Sequence, residues 1–564
     1  MLSLLPLVCL LSTITVASPT PIVTVKNGTL AGRYSAEWDQ DYFLGIPYAQ
    51  PPLGDLRFRW PQSINSTWNG TRDATQYGYS CYQYGSNFNL SEDCLTLNGY
   101  TNRTLPVILW IYGGGLTVGS TADPQYNLAG IVQTASTSDQ PFIAVSMNYR
   151  LGVWGFLQTP AILAEGSANA GLLDQRLAMQ WVQDNIAAFG GDPTRVTLWG
   201  ESAGAQSIGL HLHSFGGRND HLYSAAILES GGPVGASLNP LPFYSSAFEN
   251  LTRTVGCWDG GSGQYYTAHT TALACLRKLT STELFHANYT VVWNPLVDGT
   301  FLTAYPSQLA TTGDFVHIPL LLGANTDEGI SFSPHNLNTM ADLLNAFLVW
   351  RNYALSPPTI QRLLALYPNI PALGVPYNDH TNSTYPSLGT QWRRAASIGG
   401  DLVMIAQRRK LAQQYVSAGI AQVYSYRFDT QLWNNTTPPI GAKHFDNVMF
   451  SFQNISGALG PLPEFESYRR LSRSIGEAYA SFVASHQPNG AVSASTSTAA
   501  AAGGSAGDVE GQVNNATSLP FWPPYELARP MNMVLNASGS WVEPDTWREE
   551  GIAFINTISR ELLA

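Results

Sequence analysis

The chain predicts an α/β architecture, with a central, mostly parallel sheet flanked by helices and helical insertions capping or walling one end. Three observations point to it: apolar runs bounded by turn residues, an amphipathic helix joining two of them, and a strand–turn–helix junction at Gly200-Glu201-Ser202-Ala203-Gly204. The runs are Pro106 to Tyr112, Phe142 to Tyr149, Val196 to Trp199, Ala225 to Leu228, Pro319 to Leu322 and Val423 to Phe428. Apolar along their whole length, they read as strands covered on both faces. Between the second and third, Leu173, Leu177 and Trp181 fall at i, i+4 and i+8, and Ile186 and Phe189 extend the face. That is the helix a parallel crossover requires. Ala203 to His213 continues from the junction as a helix of small and apolar residues. Helical spacing returns in Asn338 to Pro368, at Leu343, Leu344, Phe347 and Leu348 and at Leu363 and Leu364, where it predicts walls for a pocket.

The 564 residues can bury a large core, and we read 18–564 as one domain, since nothing like an inter-domain linker precedes the C-terminal fifth. A net charge of −11 leaves no basic block to neutralise phosphates and argues against a nucleic-acid partner. Met1 to Ala17 is apolar, ends in small residues and is too short to span a bilayer, so it reads as a secretory signal. No later run of about twenty apolar residues follows, so stable membrane insertion is not expected. The expected location is extracellular. Cys9 leaves with the signal; Cys81, Cys94, Cys257 and Cys275 form an even set with three possible pairings, of which two local loops are the simplest.

Sequons are dense, at Asn27, Asn65, Asn69, Asn89, Asn102, Asn250, Asn288, Asn382, Asn434, Asn435, Asn454, Asn515 and Asn536. In an exported chain they mark exposed loops that carry N-glycans, in keeping with a charged fraction of only 12%. Ala491 to Asn514, almost wholly Ala, Ser, Thr and Gly, reads as a flexible surface insertion.

The junction at Ser202 has the form of a nucleophile elbow, a turn tight enough to lift a serine hydroxyl clear of the backbone. An activated serine needs a histidine base and an acid to orient it, and in this architecture they follow in the order serine, acid, histidine. Among ten histidines, His444 is placed for the base: it lies on a loop after the strand Val423 to Phe428. For the acid, Pro319 to Leu322 delivers Asp327 and Glu328 at the carboxyl end of a strand, and chemistry alone leaves that pair open. Glu229 and Asp298 are less well placed. Gly113-Gly114-Gly115-Leu116, directly after a strand, can aim successive N–H groups at an oxyanion, with Ala203 N–H as a further donor. His211 and His213, two positions apart on a helix, face different directions and make no metal pair. No metal or cofactor is expected.

These motifs resemble the type-B carboxylesterase/lipase family, which includes fungal lipases and cholinesterases within the α/β-hydrolase fold. Phe189-Gly190-Gly191-Asp192-Pro193 leading to Gly200-Glu201-Ser202-Ala203-Gly204 is similar to its nucleophile signature, and Glu92-Asp93-Cys94-Leu95-Thr96-Leu97 to its second. Gly45 to Ala49, Leu56 to Phe58, Asn148 to Gly152 and Gly171 to Gln175 extend the likeness over nearly the whole mature chain, as in a secreted fungal member. The resemblance implies Glu328 as the acid, His444 as the base, and Gly114, Gly115 and Ala203 as oxyanion donors. It implies disulfides Cys81–Cys94 and Cys257–Cys275, ion pairs Arg57–Glu92 and Arg150–Asp174, and Ser230 beside the acid. Glu201, next to the nucleophile, is expected to support the site from behind.

One departure matters. In the family's lipases and cholinesterases the first disulfide closes a long loop, but here only Tyr82 to Asp93 lie between the cysteines, with no tryptophan among them. The expectation is a serine esterase with an open pocket, acting on small-molecule or lipid esters without interfacial activation. The alternatives are a lipase or sterol esterase, and an idle adhesion protein of the same fold.

Overall fold

The structure is a computed structural model and describes residues 20–101, 105–233, 237–258, 265–287, 292–453, 465–490 and 519–564. The expected leader at 1–17 and insertion at 491–514 lie outside them. Eleven strands form the main sheet. In chain order they are β1 (Arg33–Ser35), β2 (Gln40–Pro47), β3 (Thr96–Thr101), β4 (Leu105–Ile111), β5 (Ile143–Met147) and β6 (Gly191–Glu201). Then come β7 (Ala225–Glu229), β8 (Leu320–Asn325), β9 (Val423–Phe428), β10 (Met531–Leu535) and β11 (Trp541–Pro544). Across the sheet the order is β11-β10-β9-β8-β7-β6-β4-β5-β3-β2-β1. Strands β4 to β10 run parallel, and antiparallel strands extend both edges.

The six apolar runs read from the sequence are β4 to β9. Every residue of β4, β5, β7, β8 and β9 is buried, which is why these strands lack alternation. The outer strands escaped the reading because their composition is mixed: β1 is Arg-Tyr-Ser, largely exposed, and Asn532 sits buried as the second residue of β10. Asn532 is tolerated there because it accepts from Arg408 at 2.6 Å and donates to Asp545 at 2.9 Å.

Helix α1 (Ala170–Asn185) is the predicted crossover between β5 and β6, and α2 (Ala203–His213) follows β6. Within α2, His211 pairs with Gln175 and His213 with the Gly209 carbonyl, so both imidazoles serve the core. In the predicted wall, α3 (Met340–Val349) starts in a capping box of Thr339 and Asp342, and α4 (Pro357–Leu366) starts at the Ser356 cap. Leu343, Phe347, Ile360 and Leu363 pack with Ile398 and Ile552 into an apolar cluster separate from the main core.

Disulfides join Cys81 to Cys94 and Cys257 to Cys275. The ion pairs Arg57–Glu92 and Arg150–Asp174 both form, buried and bidentate. The sequons divide. Asn65, Asn69, Asn89, Asn250, Asn382 and Asn434 are exposed. Asn27, expected on an exposed loop, is buried, and its amide donates to the carbonyls of Ile64 and Ser66 at 3.0 Å each. The Asn536 amide is likewise engaged, by Asp429. Both amides act as hydrogen-bond donors in the folded chain. Asn489 and Trp522, which flank residues 491–518, bond to each other twice.

Candidate active site

Strand β6 ends at Glu201 and α2 begins at Ala203, so Ser202 alone makes the turn. Its backbone takes φ 54° and ψ −122°, a region that costs a side-chain-bearing residue about 1–3 kcal/mol. The turn holds because Ser202 N–H donates to the Glu229 carbonyl at 2.9 Å and the Ser202 carbonyl accepts from Gln206 N–H at 2.8 Å. Glycine is required on either side: a Cβ at Gly204 would lie 2.0 Å from the Ile111 carbonyl oxygen, and one at Gly200 2.7 Å from the Gly204 backbone.

Three side chains from separate segments meet here. His444 Nε2 lies 2.9 Å from Ser202 Oγ, and His444 Nδ1 lies 2.7 Å from Glu328 Oε2. Glu328 is buried just past β8, and its second oxygen accepts from Ser230 Oγ at 2.6 Å and from Asn325 N–H at 2.7 Å. Of the carboxylate pair, Asp327 turns the other way: it accepts from the backbone N–H of Tyr377 and of Ala442 and so ties down the loop leading to His444. Asp298 and Glu229 make no contact with the imidazole. Asp298 caps its own loop through Thr300 and Leu302, and Glu229 lies beneath the site.

The glycine triplet follows β4. Gly114, Gly115 and Leu116 all have positive φ, and Thr117 and Val118 donate back to the Gly114 carbonyl. A Cβ on Gly113 would lie 2.9 Å from Ser202 Cβ, so this loop sits against the serine. Among the described residues no acceptor takes the N–H of Gly114, Gly115 or Ala203. The loop is braced from the short disulfide segment, where Gln83 accepts from Gly119 N–H at 2.9 Å and donates to the Gly119 carbonyl at 2.8 Å. In that segment Tyr82 stacks on Trp154 and Tyr84 on Phe285, and Glu92 is held by Arg57 and Ser281.

Burial opposes charge on His444, but Glu201 and Glu328 outweigh it and raise the imidazole above its usual range. Glu201 is fully buried; neither oxygen accepts a hydrogen bond, and Oε1 lies 3.3 Å from His444 Nε2. Burial pushes this carboxyl up to about 8, against the pull of His444. Phe332 packs against His444 with ring centroids 4.6 Å apart, and the Arg351 guanidinium, beyond the end of α3, lies over Phe332. This is where the predicted wall reaches the site.

The structure thus brings together Ser202, His444 and Glu328, with Ser230 and Glu201 beside them. It adds Asn325, Gln83 and Phe332, which the reading of the sequence passed over. Asn325 stands three residues before Glu328 in the chain, and nothing in that spacing signals a bond from its backbone. Among the described residues no group of His, Cys, Asp and Glu is arranged to hold a metal, and no helix is long and apolar enough to cross a membrane.

This sheet, elbow and histidine loop define an α/β-hydrolase. The chain belongs to the carboxylesterase family, whose profile matches residues 19–540. It is 33% identical to lipase 4 of Diutina rugosa over 79% of this chain and 85% of that one. To secreted lipase 1 of Botryotinia fuckeliana it is 34% identical, over 78% and 81%, and to lipase 1 of Geotrichum candidum 30%, over 95% of each. Among solved structures, EstA of Aspergillus niger superposes with a TM-score of 0.80 at 25% identity, covering 97% of this chain and 99% of that one.

Proposed function

We propose that this chain is a secreted serine esterase that hydrolyses carboxylic esters through an acyl-enzyme. One observation carries the reading: the unbroken hydrogen-bond series Ser202–His444–Glu328, lying beside three N–H groups without an acceptor. His444 takes the Ser202 proton as Oγ attacks the ester carbonyl, and Glu328 holds the imidazole and stabilises its charged form. The oxygen of the tetrahedral intermediate lies toward Gly114, Gly115 and Ala203, where each donor is worth about 3–4 kcal/mol. His444 returns the proton to the departing alcohol, then activates the water that releases the acid. The likeness to a secreted lipase, the paired cysteines and the leader support export.

The test is turnover of p-nitrophenyl esters by the mature protein. Ser202→Ala is expected to stay folded and lose about a thousandfold or more in kcat, together with labelling by a fluorophosphonate. Near-normal turnover in that variant would refute the assignment. A segment as short and as firmly braced as Tyr82 to Asp93 also supports activity without interfacial activation. Rates should stay smooth as the substrate passes its solubility limit, and a sharp rise there would overturn this part. The relatives named lipases favour a second reading, hydrolysis of long-chain acyl esters, and a chain-length panel separates the two.

A further inference from the structure

Glu229 ends β7 directly beneath the elbow and makes contacts in two directions. Its carbonyl accepts the Ser202 N–H at 2.9 Å. Its carboxylate accepts from Asn447 Nδ2 at 3.0 Å and Ser451 Oγ at 2.9 Å, on the turn and short helix that follow His444, and from the Tyr479 hydroxyl. The side chain is fully buried, and among the described residues no cation pairs with it, so neutral hydrogen-bond donors, these three among them, offset its burial.

The turn it holds needs holding. Phe445, next to His444, has φ 79°, a conformation a bulky residue adopts only when its surroundings impose it. Two restraints grip the turn from below. The Asn325 amide donates to the Lys443 carbonyl and, at 3.1 Å, to Asn447 Oδ1; Glu229 takes the other end of the same Asn447 amide. Asn325 N–H in turn donates to Glu328, so base, acid and nucleophile are referred to one buried frame.

We propose that Glu229 is a positioning residue for the reaction: its carbonyl sets the height of Ser202 and its side chain sets the turn bearing His444, so that the 2.9 Å Oγ–Nε2 contact is kept. The inference rests on the esterase reading. It assigns a role to a carboxylate that touches neither substrate nor imidazole.

The experiment compares wild type, Glu229→Ala and Glu229→Gln on a soluble p-nitrophenyl ester, with Tm recorded for each. Glu229→Ala is expected to lower kcat about ten- to a hundredfold with KM within about twofold, the signature of a misplaced reacting pair. Glu229→Gln should recover kcat to within about threefold of wild type, because its amide oxygen still accepts from Asn447 and its nitrogen can donate to the Ser451 and Tyr479 hydroxyls once they rotate. Wild-type kcat in Glu229→Ala, whatever its Tm, overturns the proposal, as does an equal loss in the Gln and Ala variants. Should Glu229→Ala fail to fold, Asn447→Ala breaks the same clamp from the other side. Its kcat should fall likewise, and adding Glu229→Gln should cost nothing further, whereas independent, multiplying losses overturn the clamp. Absence of turnover by the wild type itself overturns the esterase reading and this one with it; wild-type turnover with an unaffected Glu229→Ala overturns only this one.

Discussion

His444 Nε2 faces two oxygens, Ser202 Oγ at 2.9 Å and Glu201 Oε1 at 3.3 Å, and the second has no other polar partner. Glu201 and His444 therefore titrate as a pair, and the acid limb of the pH–rate profile belongs to both. A negative charge on Glu201 favours the imidazolium, so Glu201→Gln removes one of the two charges that raise His444. The expected outcome is a kcat/KM acid limb moved to lower pH. An unmoved limb would show that Glu201 does not act on the base, and one moved upward that its charge does not favour the imidazolium. At this scale chain order singles out the side chains proposed to react and stops at their supports. Ser202 stands out by its glycine neighbours and His444 by its place after β9. The choice of Glu328 over Asp327 took the family resemblance, because adjacent carboxylates on a turn point opposite ways only once the backbone is built. Glu229 is the less well placed acid by chain position, and its grip on Asn447 joins residues 218 positions apart, which no local pattern records.

The segment between Cys81 and Cys94 acts as a brace for the glycine loop. Its aromatic rings stack on Trp154 and Phe285, its end is held by the buried Arg57–Glu92 pair, and Gln83 grips Gly119 by both backbone groups. Gly119 closes the loop that begins at Gly113, so freeing it would loosen the N–H groups proposed as donors at Gly114 and Gly115. Gln83→Ala is expected to lower kcat about tenfold with a smaller change in KM, since a donor that drifts loses part of the hundredfold or more that one oxyanion contact supplies. Parallel changes in kcat and KM would place the effect in substrate binding and count against the brace. Among elements, the buried parallel strands were legible because burial on both faces leaves an unbroken apolar run, as in β4, Leu105–Ile111. The antiparallel strands were not: β3 reads Thr-Leu-Asn-Gly-Tyr-Thr, and Asn98 in its middle is paired by Gly45 and Ser146, from β2 and β5 on either side. Helices α3 and α4 were predicted from spacing; between them Arg351 lies over Phe332, which in turn packs on His444.

Several buried ionisable groups give the whole molecule a distinct dependence of stability on pH. Burial pushes Glu201 up to about 8 and Glu229, Asp327 and Asp446 up to about 7. Their unfolded values lie near 4, so between about pH 4 and 8 the folded chain binds the more protons and stability falls as pH rises through the folded values. His444, also raised, acts in the same direction. His211 and His213 work the other way: burial lowers both, His213 to about 4, so the unfolded chain binds the more protons below about 6.5 and stability falls as pH drops through that range. Asp545 joins them at still lower pH. Arg408 and Arg409 overcome its burial and hold it well below the usual carboxylate range, so its contribution is present above about pH 4 and lost as pH falls further. Between about pH 4 and 6.5 the two sets oppose each other, and above 6.5 only the carboxyls and His444 remain. Tm measured by scanning fluorimetry at constant ionic strength should therefore fall by a few degrees from pH 6.5 to 8. In Glu229→Gln, whose amide cannot ionise, the fall should be shallower. A Tm that is level or rising over that interval would mean that these carboxyls are already ionised in the folded chain, and a slope unchanged in Glu229→Gln would remove Glu229 from the set.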